Sequence, residues 1–557
     1  MNSIAMRSAA LGGLMTLVTA AVATPVADLP PAAAAAMDAI AAPRIAAHVR
    51  FLASDLLEGR GTGARGGDIA AEYIATQFAL DGLQPAGDNG GYLQKVKFVG
   101  ATLRPDMTTV ALTPMQGTAT ALKFGDDFVL VDDTAAPKDD IDAPIVYVGF
   151  GIHAPEFDWD DFKGTDLRGK VLLMFVNEPE SSDPKFFAGP ALTYYGRWTY
   201  KYEEAARRGA VGAIIIHRTD LASYGWDVVR NSWSGEEVQL AGDAEPKLRA
   251  AAWVQLEVAR KLLATAGLDL DAMYRAANRR DFRPIELPVR LQAHIESQVR
   301  SFESSNVVAM LPGATAGPAK QVVAYSAHYD HLGVVPGTGS DVIYNGAVDN
   351  GTGCGVLMEL AHAFATARVK PPHPILFAAV TGEEKGLLGS EHLGRHLPMS
   401  PADVALALNY DALDPLGEPQ SITVTGAERT SFYAVVQRVA KSFGLAIEAD
   451  AQPGAGHYYR SDHFSFARVG IPSFSIDQGV LFAGHTREWG VQRDDDYVEH
   501  RYHQPSDEFR PDMDFSGNAK LARFGFALGW LASSQPHTIE WKHGDEFEAA
   551  RRGGPVK

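Results

Sequence analysis

The chain has a single cysteine, Cys354, in 557 residues, so no disulfide can form within it. If the protein is exported, its stability must then rest on its core and on any ions it binds. Positive charge is also short. Lys and Arg number 50 against 68 Asp and Glu, a formal net charge of -18, and no basic patch with interleaved aromatics offsets this. Both observations argue against a nucleic-acid partner and suit a soluble protein. The glycine-rich turn at 59–67 is followed by no Lys-Ser/Thr pair, which excludes a phosphate loop. No internal repeat is visible.

Apolar residues are plentiful. At 46% hydrophobic, a chain of this length can bury a large core and is too long for one compact domain, so two or three units are expected. At the N-terminus Arg7 precedes an apolar stretch from Ala9 to Val22, followed by the small-residue triplets Ala21-Val22-Ala23 and Pro25-Val26-Ala27. This layout predicts a secretory signal over 1–27, too short and too rich in Gly and Ala for a comfortable membrane span. It implies a periplasmic or secreted protein with no stable membrane span after cleavage. No cysteine follows the apolar run, which disfavours a lipoprotein, and the alanine-rich stretch in 28–44 reads as a linker.

The second half carries the chemistry. In QVVAYSAHYDHLG an apolar run from Val322 ends at His328, placing an imidazole at the carboxyl end of a buried strand, where open α/β sheets put ligands. Asp330 lies two residues on and could orient that ring. YNGAVDNGTGCGVLMELAHAFA is a glycine-rich turn feeding a helix, so Asp349 stands near a helix N-terminus on a loop that permits close backbone approach. Cys354, within that helix, reads as a small buried residue. The run PILFAAV ends in TGEEKGLLGS and delivers Glu383 and Glu384; VALALNYD delivers Asp411 in the same manner. Three strands that each end in a metal-type ligand aim those ligands at one edge of a sheet. His503 follows Tyr502 in YHQPSDEF, where Pro505 keeps the chain out of a helix interior. His331, His457, His463 and His485 read as structural or cleft residues.

Taken jointly, HYD, GAVDNGTG, TGEEKGLLGS, NYD and YHQPSD resemble, in order, the motifs of the co-catalytic dizinc aminopeptidases. That family includes bacterial leucyl aminopeptidase, aminopeptidase Y and, more distantly, glutamate carboxypeptidase. The resemblance covers roughly residues 300 to 535, with a weaker match near 45 to 100. Some members carry a further acidic residue beside the bridging Asp, where this chain has Val348 and Asn350. The resemblance implies two Zn2+ ions, with Co2+ or Mn2+ as possible substitutes. Asp349 would bridge them, His328 and Asp411 would complete one ion, and Glu384 and His503 the other. Glu383 would be the general base, acting through a metal-bridging hydroxide, and Tyr502 a donor to the oxyanion. The implied activity is an exported aminopeptidase acting on peptides with a free N-terminus. A carboxypeptidase or dipeptidase of the same fold is the alternative. A glutaminyl cyclase, which uses one zinc, and a non-catalytic receptor-like protein are disfavoured by the full ligand set and by Glu383.

The expected fold is α/β, a mixed central sheet flanked by helices with an inserted, smaller β-rich domain. The catalytic unit would combine 45–104 with 301–535, since the helical spacing of Ile69, Tyr73, Ile74 and Phe78 predicts a helix packed on that sheet. The insertion spans 105–300, where RGKVLL and ARRGAVGAIII resemble a protease-associated domain that would shape the cleft. Tyr224, Trp226 and Trp233 in it would line a cleft or pack. Residues 536–557 read as a charged, frayed tail.

Overall fold

A computed structural model of the chain describes residues 28–222, 224–242, 245–315, 320–335 and 340–554; the expected signal segment, 1–27, lies outside them. The apolar runs ending at His328, Glu383 and Asp411 are strands: Val322–His328, Ile375–Val380 and Val404–Asn409, every residue buried. With Ser473–Ser475 they form four parallel strands, and Ile375–Val380 pairs on its far side with an antiparallel partner. Continuous burial is what a parallel sheet covered on both faces demands. One face packs Val323, Tyr325, Phe377 and Leu408 against helices that include Arg65–Leu80, Gly353–Thr366 and Ser516–Ser533; the other packs Ala324, Leu376 and Ala407 against Leu393, Phe466 and Ile471. Tyr325 donates its hydroxyl to the Gly525 carbonyl at 2.8 Å. Gly525 must lack a side chain, because a Cβ there would fall 1.7 Å from the Tyr410 hydroxyl.

The antiparallel partner is a 27-residue strand, Ile285–Leu311, which belongs to two sheets. Its second half pairs with Leu93–Leu103 and Ile375–Val380. Its first half joins a separate mixed sheet in which Lys138–Tyr147, Val171–Phe175, Gly212–Ile216 and Ala250–Val254 run parallel. The chain that forms this second sheet therefore makes a second layer with its own core. Trp226 and Trp233 belong to that core: Trp233 packs on Trp198 and Tyr202, and Trp226 Nε1 donates to the Gly125 carbonyl at 2.8 Å. Among the described residues no helix is long and apolar enough to cross a membrane.

Two terminal expectations need correction. The stretch read as a linker forms the helices Pro31–Asp38 and Ala42–Leu52, with Ala33, Met37 and Ile40 buried in the main core. Alanine is the strongest helix former, and its small side chain lets a helix lie close against its neighbours. The charged tail is not frayed over its length either. Ile539, Trp541 and Phe547 are buried, and Arg429 pairs with Asp545 at 2.7 Å and Glu546 at 2.9 Å while lying over the Phe547 ring.

The early segment is tied to the sheet by Arg60, which has no exposed surface. Its guanidinium donates to the carbonyls of Tyr329, Leu52, Asn345 and Gly346 at 2.6 to 2.8 Å. A planar fork meets four fixed acceptors in a way that an ammonium cannot. Arg60→Met leaves those carbonyls buried and unpaired, and the expected loss is about 3–5 kcal/mol of unfolding free energy. Urea denaturation checks this; Arg60→Lys should recover little of it.

Candidate metal centre

The parallel register brings the strand ends together. His328 is level with Val380, and Ser326 with Asn409, so His328, the turn carrying Glu383 and Glu384, and Asp411 all emerge at the carboxyl edge. His328 Nε2 lies 3.1 Å from Asp411 Oδ1 and 3.3 Å from Asp349 Oδ1. On the other side His503 Nε2 lies 3.2 Å from both Asp349 Oδ2 and Glu384 Oε2. The two oxygens of Asp349 thus face two separate donor sets. All five predicted ligands fall in one place.

The spacing fits metal coordination. Donors held at about 2.0 Å around a tetrahedral ion are about 3.3 Å apart, close to the separations between His328, Asp411 and Asp349 and between His503, Glu384 and Asp349. Three compact potential ligand groups occur among the described residues: His328, Asp349 and Asp411; His331, Asp349 and Glu384; and His328, Glu383 and Glu384.

Local structure holds each donor. The Asp349 loop closes on Asp507, whose carboxylate accepts from the backbone nitrogens of Val348 and Asp349 at 3.0 Å each. Asn350 donates to the Tyr410 carbonyl at 2.9 Å and accepts from Ala412 N at 3.2 Å, joining this loop to the Asp411 turn. Asp411 Oδ2 accepts from Ser461 Oγ at 2.6 Å. The His328 ring is oriented by Asp330 through its main-chain carbonyl, 3.1 Å from Nδ1, whereas the nearer carboxylate oxygen is 3.9 Å away. That carboxylate is engaged elsewhere, accepting from Thr62 Oγ1 at 2.6 Å and Gly382 N at 2.8 Å, so it fixes the turn that presents Glu383. Cys354 is buried, its Sγ 3.1 Å from the His328 carbonyl.

Glu383 lies beside the donors, its Oε2 3.8 Å from His328 Nε2, farther than Asp349 or Asp411 from the same nitrogen. Burial raises its carboxyl well above the ordinary range; the charges of Asp411, Glu384 and Asp462 add to this and His328 opposes it. Tyr502 sits at the rim, exposed, with its ring stacked on His503 at 3.9 Å. A cleft of about 230 Å³ opens beside Glu383 and Asp411, with His457 and His463 in its wall. His485 stacks on Trp489 at 3.8 Å and does not line the cleft.

Sequence reasoning left His331 among the structural histidines. Its Nδ1 is 2.6 Å from Glu384 Oε1, the oxygen that His503 does not meet, and the residue is fully buried. The signal was its place three residues after His328, just past the end of the same strand.

Residues 306–523 match the sequence model of peptidase family M28. Leupeptin-inactivating enzyme 1 of Streptomyces exfoliatus is 25% identical over 252 residues, 44% of this chain and 53% of that protein. A probable zinc metalloprotease of Pyrenophora tritici-repentis is 41% identical over 220 residues, covering 34% and 49%. A probable leucine aminopeptidase of Arthroderma otae is 26% identical over 193 residues, covering 34% and 51%. The chain spans about half the length of these curated relatives. Among solved structures, the aminopeptidase from Aneurinibacillus sp. strain AM-1 is 20% identical with a TM-score of 0.50, over 89% of this chain and 95% of that one. That likeness is one of fold.

His331 should matter for metal retention. Replacing it with Phe frees Glu384 Oε1 and removes an imidazole grouped with Asp349 and Glu384; the expected loss is at least that of a side chain that only orients a ligand, about 10–100-fold in metal affinity. Titration against a chelator, with metal content read by emission spectroscopy, checks the value.

Proposed function

We propose, from the premise that residues 306–523 belong to peptidase family M28, that this chain is a zinc-dependent aminopeptidase holding two zinc ions. The observation that carries the reading is the division of Asp349, one oxygen toward His328 and Asp411, the other toward Glu384 and His503; Glu383 lies beside both sets, its Oε2 3.8 Å from His328 Nε2. His328 and Asp411 would hold one ion and Glu384 and His503 the other, with Asp349 shared. Bound zinc supplies Lewis acidity, polarising the scissile carbonyl and making water a stronger acid.

The chain's own groups do the rest. Glu383 takes a proton from the attacking water and returns it to the leaving amine. Its buried setting beside other carboxylates makes it a stronger base than an exposed glutamate once it is ionised. Asp330 and the Thr62 hydroxyl hold the turn, so Glu383 does not have to be ordered during the reaction. The Tyr502 hydroxyl, at the rim of the same cleft, donates to the oxyanion as it develops. The free α-amine of the substrate sits among the carboxylates, and this limits attack to the first peptide bond.

The inserted layer reads as a protease-associated domain that shapes the cleft. Leu192 N donates to the Pro453 carbonyl at 3.0 Å, and the Tyr194 ring is 4.9 Å from that of Phe464. The insertion thereby braces residues 453–464, which supply His457, Arg460, Ser461 and His463 to the cleft. The charged, apolar and small-residue pattern of 1–27 supports export to the periplasm or medium. A dipeptidase reading has one observation in its favour: Arg460 lines the cleft, is exposed and could meet a substrate carboxylate.

The deciding assay pairs a free-amine peptide with its N-acetylated counterpart. The expected outcome is release of the first residue from the free peptide and no cleavage of the acetylated one; loss of a C-terminal residue from the latter overturns the reading. Glu383→Gln should keep its zinc and lose about 10²–10⁴-fold in kcat. Near-normal turnover in that variant would exclude Glu383 as the base.

A further inference from the structure

We infer that the cleft selects substrates whose N-terminal residue has a cationic side chain, with Asp477 as the counter-charge. The inference rests on the aminopeptidase reading and adds the substrate class.

The cleft is built for a polar occupant. Beyond the donors and Glu383 it is lined by Thr425, Ser475, Asp477, His457, Arg460, Ser461, His463 and Tyr502, with Ala412 the only aliphatic side chain among the described residues and no Leu, Ile, Val, Met, Phe or Trp among them. A site for a leucyl side chain is lined mainly by such residues. An aliphatic chain pressed against Asp477 would strip water from a carboxylate and give nothing back.

The sheet register places Asp477 beside the catalytic groups. Asn409 is level with Ser475 on the neighbouring parallel strand, so Asp411 and Asp477 each stand two residues beyond a matched pair at the same edge. Asp477 is the next carboxylate along that edge, outward from the metal-type donors. It is half-buried and lines the cleft. Oδ2 accepts from Ser475 Oγ at 2.7 Å, and no Lys, Arg or His among the described residues forms an ion pair with it. Two other basic side chains lining the cleft have partners of their own. His457 is held by Asp450 at 3.1 Å, and Arg460 donates to the Ala455 carbonyl at 2.8 Å. Burial, with Asp411 adding to it and His457 opposing, pushes the Asp477 carboxyl up to about 7, as befits an acid lacking its partner cation. A lysine or arginine side chain entering past Asp411 supplies that cation, and the Ser475 and Thr425 hydroxyls can accept from the remaining N–H groups.

The test compares lysyl with norleucyl substrates, which have the same four-carbon chain and differ by the ammonium. With the zinc-loaded full chain, kcat/KM for lysyl-p-nitroanilide should exceed that for norleucyl-p-nitroanilide by at least about tenfold, since a site built for a polar group rejects the analogue lacking it. Asp477→Asn should bring the ratio to within about threefold, and Asp477→Glu should keep a preference for lysine. A merely structural role for Asp477 would lower both substrates together and leave the ratio in place. Binding of lysinamide and norleucinamide by calorimetry gives a second reading that needs no turnover, with the same ratio expected and the same collapse in Asp477→Asn. Equal or inverted wild-type preference, or a ratio unmoved by Asp477→Asn, overturns the inference. Absence of turnover on every free-amine substrate overturns the aminopeptidase reading instead, and the calorimetric ratio still decides this one.

Discussion

The structure is organised around the cost of burying negative charge. Asp330, Asp349 and Glu384 are almost wholly buried at one sheet edge, with Glu383 and Asp411 close by and Asp507 behind the Asp349 loop. Carboxylates this close cannot all ionise in a protein interior without compensating charge and hydrogen bonds. The chain supplies part of it. Asp507 is answered by backbone nitrogens, Asp330 by a hydroxyl and a backbone nitrogen, and Arg60 adds a fixed positive charge among the same loops. Among the described residues, the side chains within ion-pair distance of Asp349 and Glu384 are the imidazoles of His328, His331 and His503. An imidazole can match one carboxylate at most and gives up even that charge when it ligates a metal. Divalent cations are the remaining compensation, and the donors are already spaced for them.

That constraint explains why distant segments converge here. Thr62 and Arg60 come from the N-terminal part, Asp507 and His503 from far along the chain, and the strand ends from between. None of these groups could hold its conformation alone, because each is a polar side chain whose partners lie on other loops. The long strand Ile285–Leu311 serves the same end differently. By belonging to both sheets it fixes the second layer against the one that carries the metal-type donors, and the Tyr194, Tyr459 and Phe464 rings then hold the cleft wall. Arg429 closes this region by pairing with Asp545 and Glu546, drawing the C-terminal segment onto the same wall.

The strand ends were legible because a parallel strand buried on both faces must be written as an unbroken apolar run, and the first polar residue after it is where function can sit. His328, Glu383, Glu384 and Asp411 follow that rule. His331 did not stand out, because one position along a turn decides whether an imidazole meets Glu384 or only fills space. Asp330 illustrates a different limit. Spacing put it near His328, but whether its carboxylate or its carbonyl would orient the ring depended on Thr62, 268 residues away in sequence. The alanine-rich segment at 31–38 and the charged tail read as unstructured from composition. Their order comes from tertiary contacts, Ala33 and Met37 against the core and Asp545 and Glu546 on Arg429, which local sequence does not encode. Asp477 was invisible for a related reason: its strand, Asp477–Gln478, is two residues long, too short for an alternation or a run to be recognised.

The same geometry separates chemistry from selection. The donors and Glu383 come from three adjacent parallel strand ends and two loops, all stitched together by hydrogen bonds, so a change at any of them disturbs the others. The fourth strand, Ser473–Ser475, is joined to this group through one edge; Ser475 at its end and Asp477, in the short strand Asp477–Gln478 that follows, line the cleft and hold each other rather than a donor. A substitution there alters what fills the cleft while leaving the buried charge balance of Asp349 intact. Selectivity is therefore expected to vary at the outer strand, and reactivity to be bound to the inner three.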